Sequence, residues 1–275
     1  MGAPSSAIPI ETLYRRLGTG DWPVVLDVRR EPAFRDSGRM LPGSLRQPAE
    51  TVGAWPPEPE PGRDIVTVCV HGHEMSQGAA AQLRAGGRAA RSLAGGLDAW
   101  IAAGLPMIAT TARPEGMDAR PSRWVTRERP KIDRLACPWL LRRFVEPRAE
   151  ILYVEADPER VRAVAAACEG IPFDVPGVEL SHDGQLCSFD TMLRYFDLHD
   201  PALDRLALIV RGADTAQLEL APEAAGLLAV ALGVSALHAD DDLAALDAGV
   251  RVYDAFYAWA RFAAEERHNW PAATA

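Results

Sequence analysis

Ile65-Val66-Thr67-Val68-Cys69-Val70-His71-Gly72-His73-Glu74-Met75-Ser76 is the stretch from which the rest of the chain is read. An apolar, β-branched run of strand length delivers a cysteine into a short polar loop, and a small-residue segment of helical character, Ser76 to Ala85, follows at once. At such a junction loop amides and a helix N-terminus converge, an environment that lowers a thiol pKa and cradles an oxyanion. Cys69 reads either as a nucleophile or as a small buried residue closing a core strand.

Upstream, Ile8-Pro9-Ile10-Glu11 opens a short helical pattern to Leu17, and Val24-Val25-Leu26-Asp27-Val28-Arg29 reads as a second buried strand. Asp27 and Arg29 sit at its carboxyl end, either as a structural ion pair or as groups orienting a ligand at the same sheet edge. Helical Glu31 to Asp36 leads into a turn-rich crossing, Gly38 to Ser44, and Pro56 to Pro61 is a proline-dense loop. Downstream, Leu93-Ala94-Gly95-Gly96-Leu97-Asp98-Ala99-Trp100 opens a helix that stops at Gly104-Leu105-Pro106. Strands alternating with helices predict an α/β layer, a parallel sheet with flanking helices and ligands at the strand carboxyl ends.

These landmarks together resemble the rhodanese family. The resemblance rests on Leu26-Asp27-Val28-Arg29 with Glu31-Pro32, Gly38-Arg39-Met40-Leu41-Pro42-Gly43-Ser44, Cys69 after its strand, and Leu93 to Trp100 with Gly104-Leu105-Pro106, across about residues 8 to 108. It implies a sulfurtransferase in which Cys69 attacks a sulfane donor such as thiosulfate and carries a persulfide to an acceptor thiol. Asp27 and Arg29 would shape the site, and the loop Val70, His71, Gly72, His73, Glu74, Met75 and Ser76 would hold the anionic substrate. The usual family loop runs six residues from Cys to Arg; here Cys69 to Met75 makes seven. The longer form belongs to phosphatase-like and arsenate-reducing relatives and suits a tetrahedral oxyanion. Met75 stands where an Arg would, and Glu74 beside it repels anions, so phosphatase chemistry is not expected. His71 and His73 remain as donors that gain charge mainly below about pH 6.5, with a metal pair as their alternative.

The chain has 275 residues, enough for two cores, and no apolar run of about 18 residues or export signal, so a cytoplasmic, non-membrane protein is expected. Cys69, Cys137, Cys168 and Cys187 include no C-x-x-C pair and read as reduced thiols. The net charge of −9 is uneven: 11 basic and 11 acidic residues precede Arg113, and 18 basic face 27 acidic residues from there on. Nine basic residues nevertheless fall between Arg120 and Arg148. That patch reads as a solvated face or as an oxyanion site, with Arg129, Lys131 and Arg134 nearest the start of a helix.

Ala109 to Ser122 has proline, glycine and no apolar period and reads as a linker, giving domains at 1–108 and 123–275. Asp133 is expected to cap a helix to about Val145, with Pro138 tolerated in its first turn and Cys137 beside it. Ile151 to Val154 reads as a strand, and Asp157-Pro158, Asp200-Pro201, Ala221-Pro222-Glu223 and Asp240-Asp241-Asp242 as helix starts. Glu179, His182, Asp190 and Asp214 are candidate ligands of a divalent metal, the alternative being a loop that satisfies its own backbone. In the last helix Leu243, Leu246, Val250, Tyr253, Tyr257, Ala260 and Ala264 form a stripe, read as a core seam with a homodimer contact as its alternative. His268 to Pro271 is a short polar-aromatic tail.

The second half is similar to the carboxyl-terminal domain of the bacterial chromate-resistance B proteins. The similarity rests on Lys131-Ile132-Asp133-Arg134-Leu135-Ala136-Cys137-Pro138-Trp139-Leu140, Leu180 to Gly184, Cys187 to Asp190, Ile209 to Asp214, and Tyr253 to Trp259. It implies a mainly helical second domain with a few strands and a role in chromate resistance, without naming a catalytic residue. The leading expectation is a rhodanese-like sulfurtransferase tied to chromate or oxyanion stress. Its alternatives are a chromate sensor using the basic segment 123–148 and a metal-dependent enzyme centred on His182. Nucleic acid is not an expected partner, because the second half is acidic and shows no recognition-helix pattern.

Overall fold

The computed structural model describes residues 6–54 and 62–266, so Pro56 to Pro61 and His268 to Pro271 lie outside the described residues. The N-terminal region is a parallel sheet wrapped by helices. In chain order its elements are β1 (Ala7–Ile8), α1 (Ile10–Arg16), β2 (Val24–Asp27), α2 (Glu31–Ser37), β3 (Arg39–Met40) and β4 (Ser44–Arg46). There follow β5 (Ile65–Val68), α3 (Glu74–Ala85), β6 (Ala90–Leu93), α4 (Gly96–Ala102) and β7 (Ile108–Ala109). The five-stranded sheet runs β1-β6-β5-β2-β4, all parallel, and β3 pairs antiparallel with β7. Its central strand β5 is buried along its whole length, as a run of Ile, Val, Thr and Val covered on both faces must be. Register places Asp27 opposite Val68 and Arg46 opposite Asp27. The ends of β2 and β5 therefore deliver Asp27, Arg29 and Cys69 to one edge.

The C-terminal region is mainly helical around a small parallel sheet ordered β10-β8-β9. It comprises β8 (Arg123–Arg127), α5 (Ile132–Leu140), β9 (Glu150–Val154), α6 (Pro158–Ala167), β10 (Ile171–Pro172), α7 (Ser188–Tyr195), α8 (Pro201–Asp214), α9 (Ala224–Leu237) and α10 (Asp242–Phe262). Asp157, Asp200 and Asp241 each cap a helix by accepting backbone N–H groups of its first turn, which is the chemistry their positions predict. Along α10, Leu246, Val250, Tyr253 and Tyr257 are buried while Leu243 is exposed. Among the described residues no helix is long and apolar enough to cross a membrane.

Two expectations for the first long helix need correction. It starts at Ile132 with Lys131 in the capping position, so Asp133 is the second residue inside it and not its cap. Pro138 is then interior, not in the first turn. A proline there cannot donate to the carbonyl four residues back, and the Arg134 carbonyl accepts from the Tyr153 hydroxyl instead, at 2.8 Å. The helix continues beyond Leu140 as one wide π-helical turn, Leu141–Val145.

One hydrophobic core runs through both regions, from Ile8, Trp22 and Trp100 to Trp139, Phe144 and Tyr257. Trp139 packs against Phe144, Phe189, Tyr253 and Tyr257, and its indole N–H donates to Asp254 at 2.8 Å. Polar contacts fasten the seam. Gly43 N–H donates to the Phe144 carbonyl at 2.6 Å, Arg39 pairs with Asp197, and Arg261 donates to the carbonyls of Tyr14 and Leu17 while stacking on the Tyr14 ring. The segment 109–122 is docked: Met117 is buried in the N-terminal core, and the Asp118 carboxylate accepts from the Arg46 N–H at 2.6 Å.

Candidate functional site

Cys69 leaves β5 at the sheet edge with 6% of its surface exposed. Its thiol meets the Ser76 hydroxyl at 3.1 Å, and Ser76 is itself fixed because its carbonyl accepts from the Thr67 hydroxyl. The loop is braced from outside. The Cys69 and Val70 carbonyls accept from the Leu97 and Asp98 N–H groups at 2.9 and 3.0 Å, so the start of α4 holds the thiol's own backbone. His71 Nδ1 lies 2.6 Å from the Asp98 carboxylate, and Gln77 donates to the Gly72 carbonyl. The helix opens two residues before the expected Ser76, at Glu74. Among the described residues, none of the backbone N–H groups of His71 to Ser76 is engaged in a hydrogen bond within the chain, which leaves them to solvent or a ligand.

A pocket of about 450 Å³ stands over this loop, lined by Arg29, Arg30, Ala33, Cys69, Val70, His71, His73, Glu74 and Met75. Asp27 and Arg29 form a buried pair, Arg29 Nε meeting both carboxylate oxygens at 2.9 Å. The same guanidinium donates to the Arg39 carbonyl and lies over the Phe34 ring. Its Nη1 is buried without a hydrogen-bond partner. Arg30 is exposed at the start of α2 and lines the pocket, a cation that the sequence pattern did not single out. Ser76 is buried behind the thiol, and Glu74 is exposed at the pocket wall.

The expected metal set is divided by the structure. His182 and Asp214 meet at 3.1 Å, whereas Asp190 is held by Arg211 through two hydrogen bonds of 2.8 and 2.9 Å and caps its own helix at Cys187 N–H. Glu179 is exposed and influences Tyr195. In their place stand Asp133 and Asp174, both buried. Burial raises the Asp133 carboxyl well above the usual carboxylate range, and the charges of Asp214 and Asp174 push the same way. Asp214 is raised by burial and by Asp174, with His182 opposing. Cys187 and Cys137 are raised by burial and by Asp133, so neither is a thiolate near neutrality. These carboxylates come from segments far apart in the chain, and no local spacing announces them.

The basic segment is largely spent on structure. Arg123 pairs with Glu150, Arg127 and Arg134 with Asp174, and Arg143 with Asp254 through two bonds of 2.8 Å. Arg134 also donates to the Glu128 carbonyl, and the Arg129 backbone N–H donates to Asp242. Of the three cations expected to receive an oxyanion, Arg129 and Lys131 are exposed just before α5, and Arg134 is turned inward to Asp174.

Against known proteins, residues 10–103 match the family model of the rhodanese-like domain, and residues 124–260 match that of the C-terminal domain of ChrB. The chain joins a rhodanese-like domain to a ChrB C-terminal domain. The boundaries put Cys69 and its pocket in the rhodanese-like domain and the His182 cluster in the ChrB C-terminal domain. The protein ChrB of Cupriavidus metallidurans is 36% identical over 135 residues, a match spanning 49% of this chain and 39% of that protein. Among solved structures, a rhodanese homolog of Thermus thermophilus is 30% identical with a TM-score of 0.26, covering 34% of this chain and 98% of that one. A full-length protein of Lactobacillus plantarum is 28% identical with a TM-score of 0.35, over 38% and 88% of the two chains. A thiosulfate sulfurtransferase of Pseudomonas aeruginosa is 26% identical with a TM-score of 0.32, over 39% and 20%.

Proposed function

We propose that the rhodanese-like domain is a sulfurtransferase with Cys69 as nucleophile, and that the chain acts in resistance to chromate or a related oxyanion. The Cys69 thiolate attacks the outer sulfur of thiosulfate, forming a Cys69 S–S bond as the donor's S–S bond breaks and sulfite leaves with the electron pair. An acceptor such as cyanide or an external thiol then takes the outer sulfur and returns the Cys69 thiolate. The observation that supports this reading is that Cys69 lines one pocket with Arg29, Arg30 and loop residues whose N–H groups make no hydrogen bond within the described chain. Amides and cations fit a dianionic donor and the sulfite that departs.

The Cys69 thiol donates to the Ser76 hydroxyl at 3.1 Å, and that hydroxyl donates on to the His73 carbonyl, so the sulfur is held in place within the loop. The commitment of Arg123, Arg127, Arg134 and Arg143 to ion pairs favours the Cys69 pocket over the basic segment as the place where an oxyanion is handled. The association with chromate rests on the ChrB C-terminal match alone.

The test is thiocyanate formation from thiosulfate and cyanide by the pure protein, with intact mass spectrometry of the donor-treated chain. A 32 Da adduct, about the mass of one sulfur atom, on wild type and not on Cys69→Ser supports the mechanism. No adduct and no thiocyanate would sink it.

A further inference from the structure

Outside the Cys69 pocket, four side chains from four separate segments come to one point. Asp133 comes from the first turn of α5, Asp174 from the loop after β10, His182 from the loop before α7, and Asp214 from the last residue of α8. His182 Nε2 stands 3.1 Å from Asp214 Oδ2, 3.5 Å from Asp133 Oδ2 and 3.7 Å from Asp174 Oδ1. An imidazole N–H is donated to one acceptor, so the bond to Asp214 does not by itself account for the approach of Asp133 and Asp174 to the same nitrogen.

The carboxylates are not equally provided for. Asp174 accepts from Ser188 Oγ at 2.7 Å and from Arg127 at 3.0 Å, with Arg134 nearby. Asp133 is 2% exposed, and among the described residues no arginine or lysine pairs with it. Its Oδ2 accepts the Ser188 N–H at 2.6 Å, and its Oδ1 has no hydrogen-bond partner. A buried, half-satisfied carboxylate facing two others is costly unless a positive charge joins them.

We infer that Asp133, His182 and Asp214 bind one divalent first-row cation of the manganese-to-zinc range, with Asp174 alongside. Two ligands about 2.1 Å from an ion lie about 3.0 Å apart at a right angle and about 3.4 Å at the tetrahedral angle. The two shortest His182 distances, 3.1 and 3.5 Å, fall at that spacing, and one donor atom from each of the three residues lies within 4.8 Å of the others. Carboxylates with a single imidazole and no thiolate suit Mn²⁺, Fe²⁺ or Zn²⁺ better than a sulfur-seeking ion. His182 is 43% exposed, so the ion has an entry path and keeps positions for water or an anionic ligand. Nothing in this site depends on the sulfur chemistry of Cys69.

The experiment uses the full chain without a histidine tag, stripped with a chelator and titrated separately with MnCl₂, followed by electron paramagnetic resonance of the free aqueous ion, and with ZnCl₂ by calorimetry. One equivalent of either ion should bind and raise the melting temperature. Asp133→Asn and His182→Gln should each weaken binding by at least about tenfold. Asp183→Asn, at an exposed carboxylate paired with Arg194, should bind as wild type. Asp133→Asn keeps the side chain's shape and an oxygen to accept the Ser188 N–H, and a cooperative melt of each metal-free variant beside wild type separates lost binding from unfolding. If neither ion binds, or if binding survives both Asp133→Asn and His182→Gln, the site is refuted.

Discussion

Gly72 and Gly96 meet backbone to backbone: a methyl group on Gly72 would stand 2.6 Å from the Gly96 nitrogen, and one on Gly96 would strike the Gly72 nitrogen in return. Both residues have positive φ, 71° and 60°. Contact and conformation together hold the Cys69 loop against the start of α4. Gly72→Ala should cost about 2 kcal/mol or more and reduce thiocyanate formation at least tenfold. Gly78→Ala is the counter-case, because it lies in α3 with nothing within 4 Å, and it should stabilise by about 0.5 to 1 kcal/mol. Urea midpoints of the two variants decide the matter; equal shifts would contradict the role given to the glycine pair.

The charges at the pocket mouth oppose each other. Arg30→Ala should raise KM for thiosulfate by about two- to fivefold and Glu74→Gln should lower it by a similar factor, since both side chains are exposed and screened. Turnover at saturation should stay near wild type in both. Steady-state kinetics at low salt reads this, and KM changes of the same sign would count against an anionic donor in this pocket.

The Asp27 and Arg29 pair is buried and sits beside the thiol. Arg29→Met leaves Asp27 uncompensated and should destabilise by about 3 to 5 kcal/mol, and the double variant with Asp27→Leu should recover more than half of that. Denaturant unfolding of the single and double variants measures the recovery. No recovery would mean that Arg29 stabilises through Phe34 and the Arg39 carbonyl and not through its partner charge.

Glu146 is fully buried and accepts the Ser122 N–H at 3.1 Å, tying the end of the 109–122 segment to the C-terminal region. Burial raises its carboxyl above the usual range. The folded chain therefore holds this proton more tightly than the unfolded chain. The stabilising contribution is complete below the unfolded value of about 4.3 and is lost as pH climbs through the raised folded value. Glu146→Gln has no such dependence, so its melting temperature should gain on wild type between about pH 4 and pH 7. A constant difference across that range would show that the side chain does not titrate differently on folding.

The core that runs from Ile8 to Tyr257 without a break predicts cooperative unfolding of both regions. Calorimetry of the full chain should show a single transition. Two separated transitions would mean that the seam at Gly43, Phe144, Tyr14 and Arg261 contributes little.

The rhodanese-like half was legible because its signals are local. A β-branched run, a cysteine and a glycine-bearing loop identify β5 and its neighbours, and parallel register then brings Asp27 and Arg29 to Cys69. Arg30 escaped notice because an arginine after a strand looks like ordinary surface, and only the orientation of α2 turns it toward the pocket. The His182 cluster was half legible. His182 and Asp214 carry a local signal, but Asp133 reads as a helix cap and Asp174 carries no signal of its own, since their convergence depends on how α5, α7 and α8 pack. Asp190 drew attention by its proximity in sequence and is taken by Arg211. Pro138 reads as a first-turn residue because nothing local reveals that the Arg134 carbonyl accepts from the Tyr153 hydroxyl.

The placement of the four cysteines bears on the direction of traffic. Cys137 and Cys187 are sealed in the core, and Cys168 is partly covered, its thiol directed at the Ala165 carbonyl. In the proposed transfer, a sulfur atom on Cys69 would find no second cysteine among the residues that line the pocket to close a disulfide upon. On the proposed reading the domain would be a relay with one carrier, its cargo departing to a visiting acceptor and its throughput set by how often that visitor reaches the pocket.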